Sequence, residues 1–219
     1  MDKLIFDHAH KQSSFRSYCS LEKYGLRINP DYTTAHPPKD TCRFSFFENG
    51  YLEFIEEKTF FGPLKRLSAT RRPGLCFKLS EGSLESFSKK AELQKFCPTL
   101  SRRAYNWKEG ESGPGWKFLS FDTPIFPGID IWCIEYESSG KTSVRIQNDG
   151  QVSEESLLYK NSSDISNFED FTGVTSENDC IQVEGLAIKF IKKKIGHKPT
   201  AIDSISVGIS SLENEISLL

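Results

Sequence analysis

The chain has 219 residues, a formal net charge of −2 and a pI of about 6.1, so it carries no net basic field for nucleic acid. With 37% hydrophobic and 26% charged residues, 17 of the residues being Phe, it is globular and aromatic-rich rather than disordered. Apolar runs all fall short of the roughly 18 residues needed to cross a bilayer.

Taken in chain order, residues 3–9 read as a strand. It carries Asp7 and His8, with His10 at its end, and strand alternation puts His8 and His10 on one face and Asp7 and Ala9 on the other. Residues 13–26 have a helical pattern with Ser13 or Ser14 as N-cap and Gly25 as the stop, followed by an extended piece ending at Pro37-Pro38. RFSFFENGYLEFIEE reads as two strands joined through Glu48-Asn49-Gly50, Asn-Gly being a strong hairpin signal. The first seventy residues thus spell β-α-β-β-β. The same order recurs: a strand at 74–80, a helix over 83–96 with Ser83 as N-cap and Leu84, Phe87 and Ala91 inward, an extended stretch at 102–109, and strands at 115–122 and 128–137. Leu93 and Phe96 fall off the stripe of that helix.

This internal repeat divides the chain into a first βαβββ module (1–70), a second (71–137), a polar linker (138–155) and a third, partial αβ module (156–219) of one helix and three strands, with Gly185 marking a turn. The expected class is α+β, with the repeated modules forming a cupped mixed sheet around one pocket. The tail either finishes a sheet or pairs with a neighbouring chain, which would make a homodimer.

The N-terminus turns polar after Leu4-Ile5-Phe6, unlike a secretory signal, and the cysteines at 19, 42, 76, 97, 133 and 180 form no CxxC pair. A cytoplasmic protein with reduced thiols is expected. The basic clusters, such as Arg71-Arg72 and Arg102-Arg103, have no interleaved stacking aromatics and read as solvated surface. The loop at 110–115 opens no helix and is not a phosphate cradle.

The order FDHAHK, NGYLEFIEE, PGLCFKL and WKFLSFDTPIFPGIDIWCIEYE, set on paired modules, resembles the vicinal oxygen chelate superfamily, and within it the glyoxalase-like domain proteins. That superfamily also contains glyoxalase I, extradiol dioxygenases, fosfomycin-resistance enzymes and bleomycin-binding proteins. The motifs span residues 4–137, and 150–210 follow by pattern. In metal-using members the His of the first-strand DH, the Glu of YLE and a Glu of the second module's last strand are ligands. The resemblance implies His8, Glu53 and Glu135 for those places. The fourth ligand belongs to a strand that often reads HLCF; here it reads GLCF, and Gly74 stands in its place.

One imidazole and two carboxylates suit a divalent ion such as Zn, Mn, Ni or Fe, with positions open for water and a chelating oxygen ligand. Such an ion polarises a carbonyl while Glu135, or His10 at the pocket mouth, takes the proton. This reading is a lyase, isomerase or dioxygenase acting on a small oxygen-bearing substrate. The other reading is a metal-free binding protein that sequesters a small molecule in an aromatic-lined pocket. Tyr105, Trp107 and Trp116 are its expected lining, while Trp132, alternating with Cys133, is expected to face away from Glu135 and so from the ligand set. A nucleophilic Cys76 or Cys133 has no activating motif beside it. Either reading expects a small-molecule partner and neither a nucleic acid nor a membrane.

Overall fold

The alternating apolar segments pair into two sheets. The computed structural model describes residues 3–12, 29–33, 41–56, 73–104, 115–137, 150–192, 202–208 and 216–217, and the helix expected over 13–26 lies outside them. The first sheet holds β1 (Leu4–Gln12), β2 (Asn29–Thr33), β3 (Thr41–Phe47), β4 (Gly50–Glu56), β5 (Gly74–Leu79), β6 (Pro98–Ala104), β7 (Gly115–Phe121) and β8 (Asp130–Tyr136). Its order, β2-β3-β4-β1-β5-β8-β7-β6, is a palindrome of the two modules. Each module closes by a parallel pair, β1 with β4 and β5 with β8, and the modules join through antiparallel β1 and β5. The α+β class and the paired-module sheet expected from the sequence are observed.

The second sheet holds β9 (Gln151–Tyr159), β10 (Cys180–Val183), β11 (Leu186–Lys192), β12 (Ile202–Gly208) and β13 (Ile216–Ser217), ordered β10-β11-β9-β12-β13. β9 begins at Gln151, inside the stretch read as a linker, and Gly185 makes the β10–β11 turn at φ 86°.

The helix expected over 83–96 is broken in two, α1 (Leu84–Phe87) and α2 (Ala91–Gln94), with Lys90 extended at ψ 136° between them. The break has a packing reason. On one continuous helix Leu93 would lie half a turn round from Leu84; resetting the phase lets Leu84, Phe87, Leu93 and Phe96 all be buried. The longer α3 (Ser162–Thr172) starts at Asn161, where Asp164 Oδ2 accepts from the Asn161 and Lys160 amides at 3.1 and 3.0 Å, and stops at Gly173 with φ 69°. Among the described residues no helix is long and apolar enough to cross a membrane.

The core lies on the convex side of the first sheet. Phe168 and Phe171 of α3 meet Phe77 and Phe87, then Phe121, Phe126 and Phe190, mostly edge-to-face with centroids 5.6–6.5 Å apart. Each such pair adds about 0.5–1.5 kcal/mol to its area burial. α3 thus ties the third unit to the second module.

A polar clamp ties the third unit to the first. Asn49 Nδ2 donates to the carbonyls of Val152 at 2.7 Å and Gly185 at 2.6 Å, and Asn49 Oδ1 accepts from the Val152 amide at 3.0 Å. The hairpin is thus present, but its two loop residues are Glu48 and Asn49, with Phe47 paired to Gly50, and neither loop residue has positive φ. Gly50 is required for space instead: a Cβ there would stand 2.4 Å from the Asp7 carbonyl oxygen and 2.8 Å from the Phe6 ring.

The same interior holds one ill-matched group. Glu155 on β9 lies opposite the fully buried Ile188, is 1% exposed, and neither carboxyl oxygen has a hydrogen-bond partner. Burial pushes its pKa well above 4.5.

Two outcomes follow from these contacts. Asn49→Ala removes one donor and one acceptor and strands the amide of Val152, so it lowers unfolding free energy by about 1–3 kcal/mol in urea titration. Glu155 binds a proton more readily folded than unfolded, so it costs stability above pH 4.5 and the cost grows by about 1.4 kcal/mol per pH unit up to the folded pKa. Glu155→Gln is therefore more stable than the parent at pH 7.5, with the gap in Tm closing towards pH 4.5.

Candidate functional site

The site begins with an irregularity in β1. Its antiparallel register with β5 runs Phe6 to Phe77 and then His8 to Cys76, leaving Asp7 as an extra residue: a β-bulge. Phe6 points into the core, while Asp7 and His8 both turn to the concave face and touch each other there, His8 Nδ1 to Asp7 Oδ2 at 2.7 Å. Strict alternation, which placed Asp7 on the opposite face from His8, fails at this residue. Gly50 makes the bulge possible by letting the Asp7 carbonyl approach β4.

Around this pair the concave face assembles by cross-strand register. Tyr51, opposite His8 on β4, stacks on the imidazole at 4.4 Å and 13°. Phe44 and Phe46, opposite Glu53 and Tyr51, extend that wall. From β8, Trp132 meets His8 edge-on at 5.5 Å, and the Tyr136 hydroxyl donates to Asp7 Oδ2 at 3.0 Å. Trp116 and Phe118 on β7, paired with Tyr136 and Ile134, continue the same face.

Burial alone would raise the Asp7 pKa, but the hydrogen bond and charge of His8, Lys78 Nζ at 3.8 Å and the Tyr136 hydroxyl more than offset it, and the carboxyl is held below 3.8. Burial first, then neighbouring negative charge, pushes the Tyr51 and Tyr136 phenols and the Cys76 thiol up. The phenols therefore act as neutral hydrogen-bonding groups, and Cys76 is no ready nucleophile. The ionised Asp7 accepts a hydrogen bond from His8 Nδ1, which leaves Nε2 facing the cup. Glu53 Oε2 lies 4.0 Å from Nε2, with side-chain exposures of 6% for His8 and 19% for Glu53.

The sequence-expected residues divide accordingly. His8 and Glu53 are brought together, and Trp116 is on the same face. Glu135 is not with them. It lies on the convex side, where its carboxylate accepts from the Leu84 amide at 3.0 Å and from Lys117 Nζ at 3.0 Å, in the role of a brace for α1. Trp132 does face away from Glu135, as expected, but for that reason it faces His8, and the expectation that it leaves the site is corrected. The side chain of His10, and Tyr105 and Trp107 altogether, lie outside the described residues. Asp7, Trp132 and Tyr136 were missed as site residues. Nothing in the sequence marks the bulge, because Gly50, which makes room for it, reads there as part of the Asn-Gly hairpin signal.

The registers also identify what stands where a second half-site would be. The pairs His8–Cys76 and His10–Gly74 exchange under the approximate two-fold relating the modules, so Gly74 is the counterpart of His8 and Cys76 that of His10. Glu53 lies opposite His10, and Trp132 lies opposite Cys76. Trp132, not Glu135, is therefore the counterpart of Glu53.

Tested against a metal centre, this donor set is half complete. The 4.0 Å between His8 Nε2 and Glu53 Oε2 is a span that one ion at about 2.1 Å from each can bridge. The second module offers an indole and a glycine in return. Asp7, His8 and Cys76 also bring ligand atoms within 4.8 Å of one another. The 2.7 Å hydrogen bond between Asp7 and Nδ1 leaves no room for an ion between them, and Asp7 orients the imidazole instead. Among the described residues, the four-ligand centre that the resemblance implies is not complete.

No protein-family model and no curated protein matches the chain. Among solved structures it is similar to a hypothetical protein from Staphylococcus aureus, at 13% identity and a TM-score of 0.60 over 87% of each chain. It is also similar to a mutant of 4-hydroxymandelate synthase from Streptomyces coelicolor, at 10% identity and a TM-score of 0.51. That match covers 86% of this chain and 62% of the synthase. At 13% and 10% identity these likenesses are of the fold alone.

Proposed function

We propose that this chain is a glyoxalase-like small-molecule-binding protein whose aromatic-lined cup works without a catalytic metal. The observation that carries the reading is the pair Trp132 and Gly74, at the positions corresponding to Glu53 and His8. An indole and a glycine supply no lone pair for an ion, whereas an indole supplies a flat apolar wall. Tyr51, Trp132, Phe44 and Phe46 then form the faces against which a ring or alkyl body packs, and His8 Nε2 and Glu53 supply the polar end that orients it. Asp7 holds the His8 ring in one orientation for that task.

The competing reading is a metal-dependent lyase, isomerase or dioxygenase using Zn, Mn, Ni or Fe, favoured by the 4.0 Å spacing of His8 and Glu53. Elemental analysis after chelation and metal add-back separates the two. The binding reading expects no stoichiometric transition metal at neutral pH; one metal per chain, lost in both His8→Ala and Glu53→Ala, overturns it. A gain-of-binding variant checks the register argument. Gly74→His combined with Trp132→Glu completes the set and acquires one Zn²⁺ or Ni²⁺ per chain, whereas Gly74→His combined with Glu135→Gln does not.

A further inference from the structure

Outside the cup, the hairpin of the first module carries a reactive pair. Asn49 and Gly50 form the only Asn-Gly step in the sequence. Gly50 has no side chain to hinder its backbone nitrogen, the nucleophile in deamidation of the asparagine before it. That nitrogen gives up its proton and attacks Asn49 Cγ, the Cγ–Nδ2 bond breaks, and ammonia leaves a cyclic imide behind. Water then opens the imide at either carbonyl, to aspartate or to isoaspartate.

The fold decides when this can happen. The Asn49 carboxamide is engaged at both ends on the third unit, through the carbonyls of Val152 and Gly185 at 2.7 and 2.6 Å and the Val152 amide at 3.0 Å. Two acceptors and one donor also fix which end of the carboxamide is nitrogen. Gly50 is in turn paired with Phe47 at the mouth of the hairpin. Swinging Cγ onto the Gly50 nitrogen breaks all three bonds, so the docked third unit holds the reactive atoms apart. Backbone bonds from Glu48 N to the Gly150 carbonyl and from Phe6 N to the Glu184 carbonyl, both 3.2 Å, keep the same end closed.

The product does not rebuild the clamp. A carboxylate has no hydrogen to donate, and one of its oxygens would face the two carbonyl oxygens that Nδ2 served. Two hydrogen bonds thus turn into oxygen–oxygen repulsion. Isoaspartate also lengthens the main chain by one methylene and displaces the hairpin tip. We propose that Asn49 is a deamidation site kept closed by the docked third unit, and that its conversion releases the hairpin end of that unit irreversibly. The release is local: the start of β9 and the β10–β11 turn come free, while the Phe168 and Phe171 cluster holds the other end.

Peptide mapping by mass spectrometry of the full chain, aged in mildly alkaline buffer, tests the site. Conversion adds about 1 Da to the Asn49 peptide and is expected at least about tenfold more slowly in the folded chain than in the urea-unfolded one. Equal rates in both, or no conversion in the unfolded chain, overturn the proposal. With rising urea, conversion is expected to track hydrogen exchange in β9 and not the later opening of β5. Conversion that tracks β5, or β9 and β5 opening as one, overturns the gating by the third unit. Asn49→Asp stands in for the product, with circular dichroism to check that it folds. Its β9 and β10–β11 turn are expected to exchange at least about tenfold faster than in the parent, with β5 unchanged. Parental exchange in a folded Asn49→Asp overturns the release.

Discussion

The bulge at Asp7 is the constraint on which the site depends. An unbroken β1 would alternate from Phe6 in the core to Asp7 in the cup and His8 back in the core, which would bury an imidazole among phenylalanines. One extra residue re-phases the strand, so Phe6 keeps the core while Asp7 and His8 share the concave face. The cost is a carbonyl pushed towards β4, and it is tolerated because Gly50 has no side chain to meet it. Fold and chemistry are joined at this point, since the residue that relieves the backbone lies beside Tyr51, which stacks on His8.

The two modules use the same backbone for different ends. The palindromic strand order gives the cup two equivalent halves, and a four-ligand centre would need both to be furnished alike. Here the first half carries an imidazole and a carboxylate, and the second carries a glycine and an indole. The scaffold common to both halves thus survives a change in the chemistry of one, because strand pairing depends on backbone groups and on the core-facing residues, not on what the concave positions hold.

On the convex side the third unit is held by means that differ at its two ends. Near the hairpin it relies on the geometry of one asparagine, and near α3 on a phenylalanine cluster that continues the core of the second module. Glu155 sits in the same interior without a hydrogen-bond partner, which reduces stability.

Much of this architecture is legible in the residues themselves. Apolar alternation and the strong turn signals delineate the strands, their recurrence exposes the paired modules, and DH with YLE picks out His8 and Glu53. These features are local, so a window of ten residues contains them. The local pattern over 83–96 gives one continuous helix because it does not reveal that Leu84 and Phe96 must reach one core. Glu135 and Trp132 were exchanged for a related reason: which face of β8 meets His8 depends on its register with β5, and that register is set by residues far apart in the chain. By itself, then, the sequence determined the modules, their repeat and the two polar groups of the first half-site. Only the tertiary structure decided that Asp7 joins them and that an indole faces them, because both depend on how distant strands pair.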